Sequence, residues 1–144
     1  MSSSKEFSSK DLYGLQCCLR DFDLLLERWK NEPADLAVRY SVIKAFELTY
    51  GMAVSTLSKY LTENSVRASE VAGFDFQDLI RLADKEGLLQ NGWPKWKFYR
   101  ENRNRTAHMY REDIAAAVTA TLPEFSAEAH ALLGNLSRRI EHHG

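Results

Sequence analysis

Apolar residues return along most of this chain at alternating steps of three and four, the spacing that lines one face of an α-helix. Leu12, Leu15, Leu19, Phe22, Leu26 and Trp29 form the first such series, with Asp11, Arg20, Asp21, Glu27 and Lys30 off the stripe. Asn31-Glu32-Pro33 ends it, and Pro33 suits the first position of a new helix, where its missing N–H costs no hydrogen bond. The second helix runs to Thr62 and carries Leu36, Tyr40, Ile43, Tyr50, Val54, Leu57 and Leu61. Gly51, in its middle, costs about 1 kcal/mol relative to alanine, which predicts a close helix contact there.

Residues 63–73 are polar and predict a connector with a short helical turn. Asp75 is placed to cap a third helix with Phe76, Leu79, Ile80 and Ala83 inward, and Gly87 to end it in the left-handed conformation. Asn91-Gly92-Trp93-Pro94 is another helix-start signal and opens a fourth. Glu112 and Asp113 favour a fresh start through the helix dipole. Pro123 splits the remaining chain, leaving a last segment with Phe125, Ala129, Leu132, Leu136 and Ile140 on one face. No stretch alternates with period two. The pattern predicts an all-α, up-and-down bundle of about five helices. It forms one domain over residues 10–140, with a frayed, disordered Ser-rich tail at 1–9 and a short tail at 141–144.

A chain of 144 residues can bury a real core, and fractions of 44% hydrophobic and 27% charged residues suit a globular protein in water. No apolar run has membrane-spanning length, and the start, Met-Ser-Ser-Ser-Lys-Glu, lacks the apolar centre of a signal peptide, so a cytoplasmic protein is expected. Cys17 and Cys18 are neighbours on a helix and point about 100° apart, which favours reduced, buried thiols over a disulfide. No Cys/His cluster has metal-ligand spacing, and neither a metal nor a cofactor is expected. The net charge of −1 excludes a protein that coats nucleic acid by bulk electrostatics. Any RNA contact must come from a local patch.

The stretch 93–114 offers one. Lys95, Lys97, Arg100, Arg103, Arg105 and Arg111 are opposed by Glu101 until Glu112 and Asp113 close it. Trp93, Trp96, Phe98, Tyr99 and Tyr110 are interleaved with those charges, as on a surface that meets phosphate and stacks bases. The bland reading is that the aromatics are core and interface and the charges a solvated face. On one straight helix over residues 94–110, Asn104 and His108 touch as an i, i+4 pair, whereas Arg103 and His108 lie about 140° apart. Trp96, Ala107, Tyr110 and Ile114 fall within about 40° of Arg103, on the face expected to pack. Bringing Arg103 to His108 needs a wrapped arginine stem, a helix deformed near these residues, or two chains pooling residues across a twofold axis. Glu47 is expected to pair with an arginine such as Arg39 or Arg103, or to form an exposed ion pair.

Arg103-Asn104-Arg105-Thr106-Ala107-His108-Met109-Tyr110 resembles the Arg-x(4)-His-x-Tyr signature of HEPN-domain proteins, and Arg39 to Tyr50 is similar to that family's long second helix with its Phe-Glu-Leu/Phe pair. More narrowly, residues 10–140 resemble the nucleotidyltransferase substrate-binding (HepT-like) branch, the toxin half of HEPN–MNT toxin–antitoxin pairs of type VII-like organisation. The resemblance implies a twofold dimer with its active site in the shared cleft. It implies a metal-independent endoribonuclease in which His108 takes the proton of a ribose 2′-hydroxyl and Arg103 stabilises the phosphate. Asn104 would orient the imidazole or donate to a phosphate oxygen, while Lys95, Lys97, Arg100, Arg105 and Arg111 bind RNA such as tRNA or mRNA. It further implies an MNT-type nucleotidyltransferase partner that silences the toxin by AMPylation of Tyr110. A competing reading, from the family's older name, is a non-catalytic subunit presenting a substrate to a nucleotidyltransferase. A third is a bare helical dimerisation module.

Overall fold

Two long helices, α1 (Ser9–Asn31) and α2 (Leu36–Asn64), run back along each other through the turn at residues 32–35. They carry the apolar stripes expected of them: Leu12, Leu15, Leu19, Phe22 and Leu26 from α1 meet Val42, Ile43, Phe46, Ala53, Leu57 and Leu61 from α2. The computed structural model describes residues 6–143, and all regular structure among them is helical. A 3-10 segment (Ala68–Gly73) leads into α3 (Phe76–Lys85), followed by α4 (Trp93–Arg105), α5 (Glu112–Thr119) and α6 (Leu122–His143). Among the described residues, six α-helices therefore stand where the pattern predicts about five. The chain turns at 120–121, and Pro123 sits in the first turn of α6, where it interrupts nothing.

Phe125 is the hub at which four helices meet. Its ring lies 6.3 Å from Phe22 of α1, 5.2 Å from Phe46 of α2, and 6.1 and 5.2 Å from Trp96 and Tyr99 of α4. Most of these pairs are edge-to-face or steeply tilted, the arrangement that aromatic quadrupoles favour. A polar clip fastens α6 to α1 at the rim, where Ser126 Oγ donates to Asp23 at 2.6 Å and His130 Nε2 lies 2.6 Å from the same carboxylate. The third helix forms as its ends require. Asp75 accepts from the Asp78 amide at 2.8 Å in a capping box, and Gly87 takes φ 77°.

Several sequence expectations are corrected. Pro33 does not begin α2; it lies in the preceding turn, and Asp35 caps the helix by accepting from Val38 N. Leu36 and Tyr40 are 59% and 46% exposed, because they lie to one side of the α2 face that Val38, Val42 and Phe46 bury. Gly51 makes no close helix contact: a Cβ there would meet nothing within 4 Å. The close approach is at Gly14, where a Cβ would stand 3.0 Å from the Met52 side chain. The expected tails are shorter than drawn. Residues 1–5 and Gly144 lie outside the described residues, but Phe7 is buried edge-on to Tyr60 at 5.2 Å, Ser8 N donates to Asp11, and α6 runs on through His143. Cys17 and Cys18 are free and half-buried, with burial raising the Cys18 thiol above its ordinary value.

Replacing Gly51 with alanine should stabilise the protein by about 0.5–1 kcal/mol, since the helix gains propensity and nothing is displaced. Urea unfolding of the two proteins measures this, and a destabilised variant would contradict it. Alkali should act on two core tyrosines. Burial pushes the Tyr50 phenol up to about 12, and burial followed by the Glu128 carboxylate also raises Tyr99. A raised folded-state pKa contributes stability that is complete below the unfolded value of about 10 and lost as pH climbs through the folded one. The melting temperature should therefore fall above about pH 10 and fall less steeply when Tyr50 and Tyr99 are both phenylalanine. Identical slopes would refute the assignment.

Candidate functional site

The site is carried by α4, which is held at its start by a buried carboxylate. Glu128 on α6 is 0% exposed and accepts from the Gln90 amide at 2.9 Å, the Asn91 amide at 3.2 Å, Asn91 Nδ2 at 2.8 Å and the Tyr99 hydroxyl at 3.2 Å. Trp96 and Tyr99 are fully buried, and Trp93 and Phe98 pack on the core's edge, so the aromatics of this helix are core. At its far end Asn102, 2% exposed, donates to Thr121 Oγ1 at 2.8 Å and ties α4 to the turn before α6.

The α-helix stops at Arg105. Thr106–His108 tighten into a 3-10 turn, a further turn follows, and Arg111 precedes α5. The cause is Thr106, whose hydroxyl is 2.5 Å from Glu47 Oε2 and 2.7 Å from the Arg103 carbonyl. With one proton to give, the hydroxyl favours the charged acceptor. The same oxygen accepts from Arg103 Nη1 at 3.2 Å, and that guanidinium reaches Glu47 Oε2 at 3.4 Å. Glu47 therefore orients Arg103, with Lys44 Nζ 3.7 Å from its other oxygen. Arg39 goes elsewhere: it donates to Glu112 at 2.7 Å and holds that carboxyl below its ordinary value. The second-helix acid thus pairs with Arg103, and Arg39 fastens the start of α5 to α2.

Because the helix deforms here, uniform rotation does not describe residues 106–110, and the separation of about 140° between Arg103 and His108 does not apply. Asn104, Ala107 and His108 are exposed. Tyr110 does not pack beside Arg103 as expected. It is 72% exposed on the turn after the 3-10 segment, its ring edge-to-face with His108 at 6.1 Å. The expected RNA-binding cations are dispersed. Lys95 is held by Glu124 of α6 at 2.9 and 3.0 Å, and Arg100 lies over the Phe76 ring at 5.3 Å. Arg105 donates to Asn102 Oδ1 at 3.3 Å, Arg111 to Asp113 at 3.2 Å, and Lys97 is exposed. Arg103, Asn104, Arg105, His108 and Arg111 gather at the end of α4 and start of α5, whereas Lys95 lies about 12 Å back along the helix. Thr106 is the residue that sequence reasoning missed; a threonine just before a helix break is the signal that was present. The end of α4 thus carries a guanidinium oriented by Glu47 and Thr106, and the 3-10 turn after it carries an exposed imidazole.

A family model described as nucleotidyltransferase substrate binding protein like matches residues 10–138. "Probable ribonuclease HepT" of Haemophilus influenzae is 30% identical over 100 residues, which are 69% of this chain and 68% of the relative. A solved Haemophilus influenzae structure, described as the fold of a substrate binding domain of a nucleotidyltransferase, matches with a TM-score of 0.78 over 85% of this chain and 96% of that one. At 23% identity the match shows a shared fold. No described helix is long and apolar enough to cross a membrane. The helical bundle, the Arg103–His108–Tyr110 spacing and the match over residues 10–138 together mean that this chain belongs to the nucleotidyltransferase substrate binding protein like family, in its HepT-like branch.

Proposed function

We propose that this chain is a metal-independent endoribonuclease, the toxin of a toxin–antitoxin pair whose other member is an MNT-type nucleotidyltransferase. The observation that carries the reading is Arg103, oriented by Glu47 and Thr106 within the motif that also presents His108 to solvent. His108 as the base takes the 2′-hydroxyl proton, the freed oxygen attacks the adjacent phosphorus to form the 2′,3′-cyclic phosphate, and the P–O5′ bond breaks with the 5′-oxygen taking a proton from water. Arg103 holds the charge that builds on the phosphate oxygens. The reaction needs no metal because the base and the cation are both side chains of the motif. The ribonuclease name of the Haemophilus influenzae relative supports this reading. A twofold dimer would place two motifs in one cleft through a single self-complementary patch. The description of the structural relative favours a second reading, a non-catalytic subunit that presents a substrate to a nucleotidyltransferase.

Purified protein should cleave RNA in EDTA and leave a 2′,3′-cyclic phosphate, and His108→Ala should lower the rate by about 10²–10⁴-fold without unfolding the chain. Strict dependence on a divalent ion would sink the mechanism, and wild-type cleavage by the variant would remove His108 from it.

Neutralisation is assigned to Tyr110. Its exposure leaves the phenol open to a second enzyme's active centre, and an adenylyl phosphodiester there would add a negative charge to the motif segment beside the His108 ring. The modification would then occupy the place of the RNA phosphate. Intact-mass measurement after co-expression with the nucleotidyltransferase should show added AMP that peptide fragmentation maps to Tyr110. An unmodified wild type, together with a Tyr110→Phe chain that is still silenced, would show neutralisation by binding instead.

A further inference from the structure

Tyr40 is exposed on α2, the helix to which the motif segment is tied, and is not a core side chain. Its ring, 46% exposed, is outside both the core cluster and the shell of side chains packed on it. Along α2, Lys44 lies about 40° to one side of Tyr40 and Glu47 about 20° to the other, so the three share a stripe. The helix α2 is tied to the motif segment at two anchor points. Glu47 holds Thr106 and Arg103 at one end, and Arg39, the residue before Tyr40, holds Glu112 at the other. The segment between these anchors carries His108 and Tyr110, and along α2 Tyr40 falls between Arg39 and Glu47. Leu36, one turn earlier and 59% exposed, widens the apolar floor.

We infer that Tyr40 is a stacking platform for a nucleobase of single-stranded RNA, the base flanking the phosphate that Arg103 holds. This rests on the ribonuclease reading. The distance from Glu47 to Tyr40 along α2 is about 10 Å, a span that a neighbouring nucleotide covers. Lys44 on the same stripe, 70% exposed, and Arg103, held by Glu47, border the ring with positive charge, and the acids Glu47 and Glu112 are both engaged by arginines. A flat ring within such a cationic border is how single strands are held without base-specific hydrogen bonds. The preference is therefore for unpaired RNA over duplex, with little discrimination between bases.

The test uses full-length His108→Ala protein, which holds RNA without cutting it, and a short single-stranded RNA carrying 2-aminopurine. Stacking on Tyr40 quenches the probe. Adding Tyr40→Ala should abolish the quench and weaken binding on the order of ten-fold, Tyr40→Trp should preserve both, and the melting temperature should not move. Unchanged affinity and quench in Tyr40→Ala, with the parent still binding and the wild type still cutting, would overturn this inference alone. Conversion of a dimer to a monomer by Tyr40→Ala in sedimentation would also overturn it, by making the ring a subunit contact. Failure of the parent to bind and of the wild type to cut would overturn the ribonuclease reading and this inference with it.

Discussion

A carboxylate removed from water must be given donors or it costs several kcal/mol, and Glu128 meets that condition in a way that organises the functional half of the molecule. The acid sits on α6, yet its donors are two amides and a side-chain amide from the turn at 90–91 and a phenol further into α4. Satisfying one charge therefore sets where α4 begins and how it is rotated. Rotation decides the rest: Trp96 and Tyr99 turn to Phe125, and Asn102 to Thr121. Arg103, next along the helix, is thereby aimed at α2.

A second buried arrangement of the same kind breaks that helix. A regular continuation of α4 would carry residues 106–110 outward along a straight axis. Instead Thr106 is drawn to Glu47, and its 3% exposure leaves a hydroxyl that has to find an acceptor inside. A buried hydroxyl without one costs about 1–3 kcal/mol, and the Thr106 hydroxyl has both Glu47 and the Arg103 carbonyl within reach. The deformation and the orientation of Arg103 have one cause, a carboxylate shared between a guanidinium and a hydroxyl.

What could be read from the sequence was what local chemistry decides. The α1 stripe, the Asp75 cap, the left-handed Gly87 and the Trp93-Pro94 helix start each depend on residues within a turn or two of one another. The aromatic content of α4 was legible as core for the same reason. The geometry of the motif was not, because it is set from 59 residues away by Glu47. Exposure of Leu36 and Tyr40 was hidden likewise: periodicity grouped them with Ile43 and Leu57, whereas the neighbouring helices cover the face of Val38, Val42 and Phe46. Gly51 misled because a poor helix former in a long helix suggests a packing reason, and the surroundings offer none.

The position of Phe125 and Glu128 in the chain has a consequence for how the protein comes into being. Both lie on the last helix, C-terminal to every residue of the motif they support. A growing polypeptide that has already emerged through Tyr110 has neither the hub against which Trp96 and Tyr99 pack nor the acceptor for the 90–91 turn. The motif thus takes its working shape only after synthesis has passed α6.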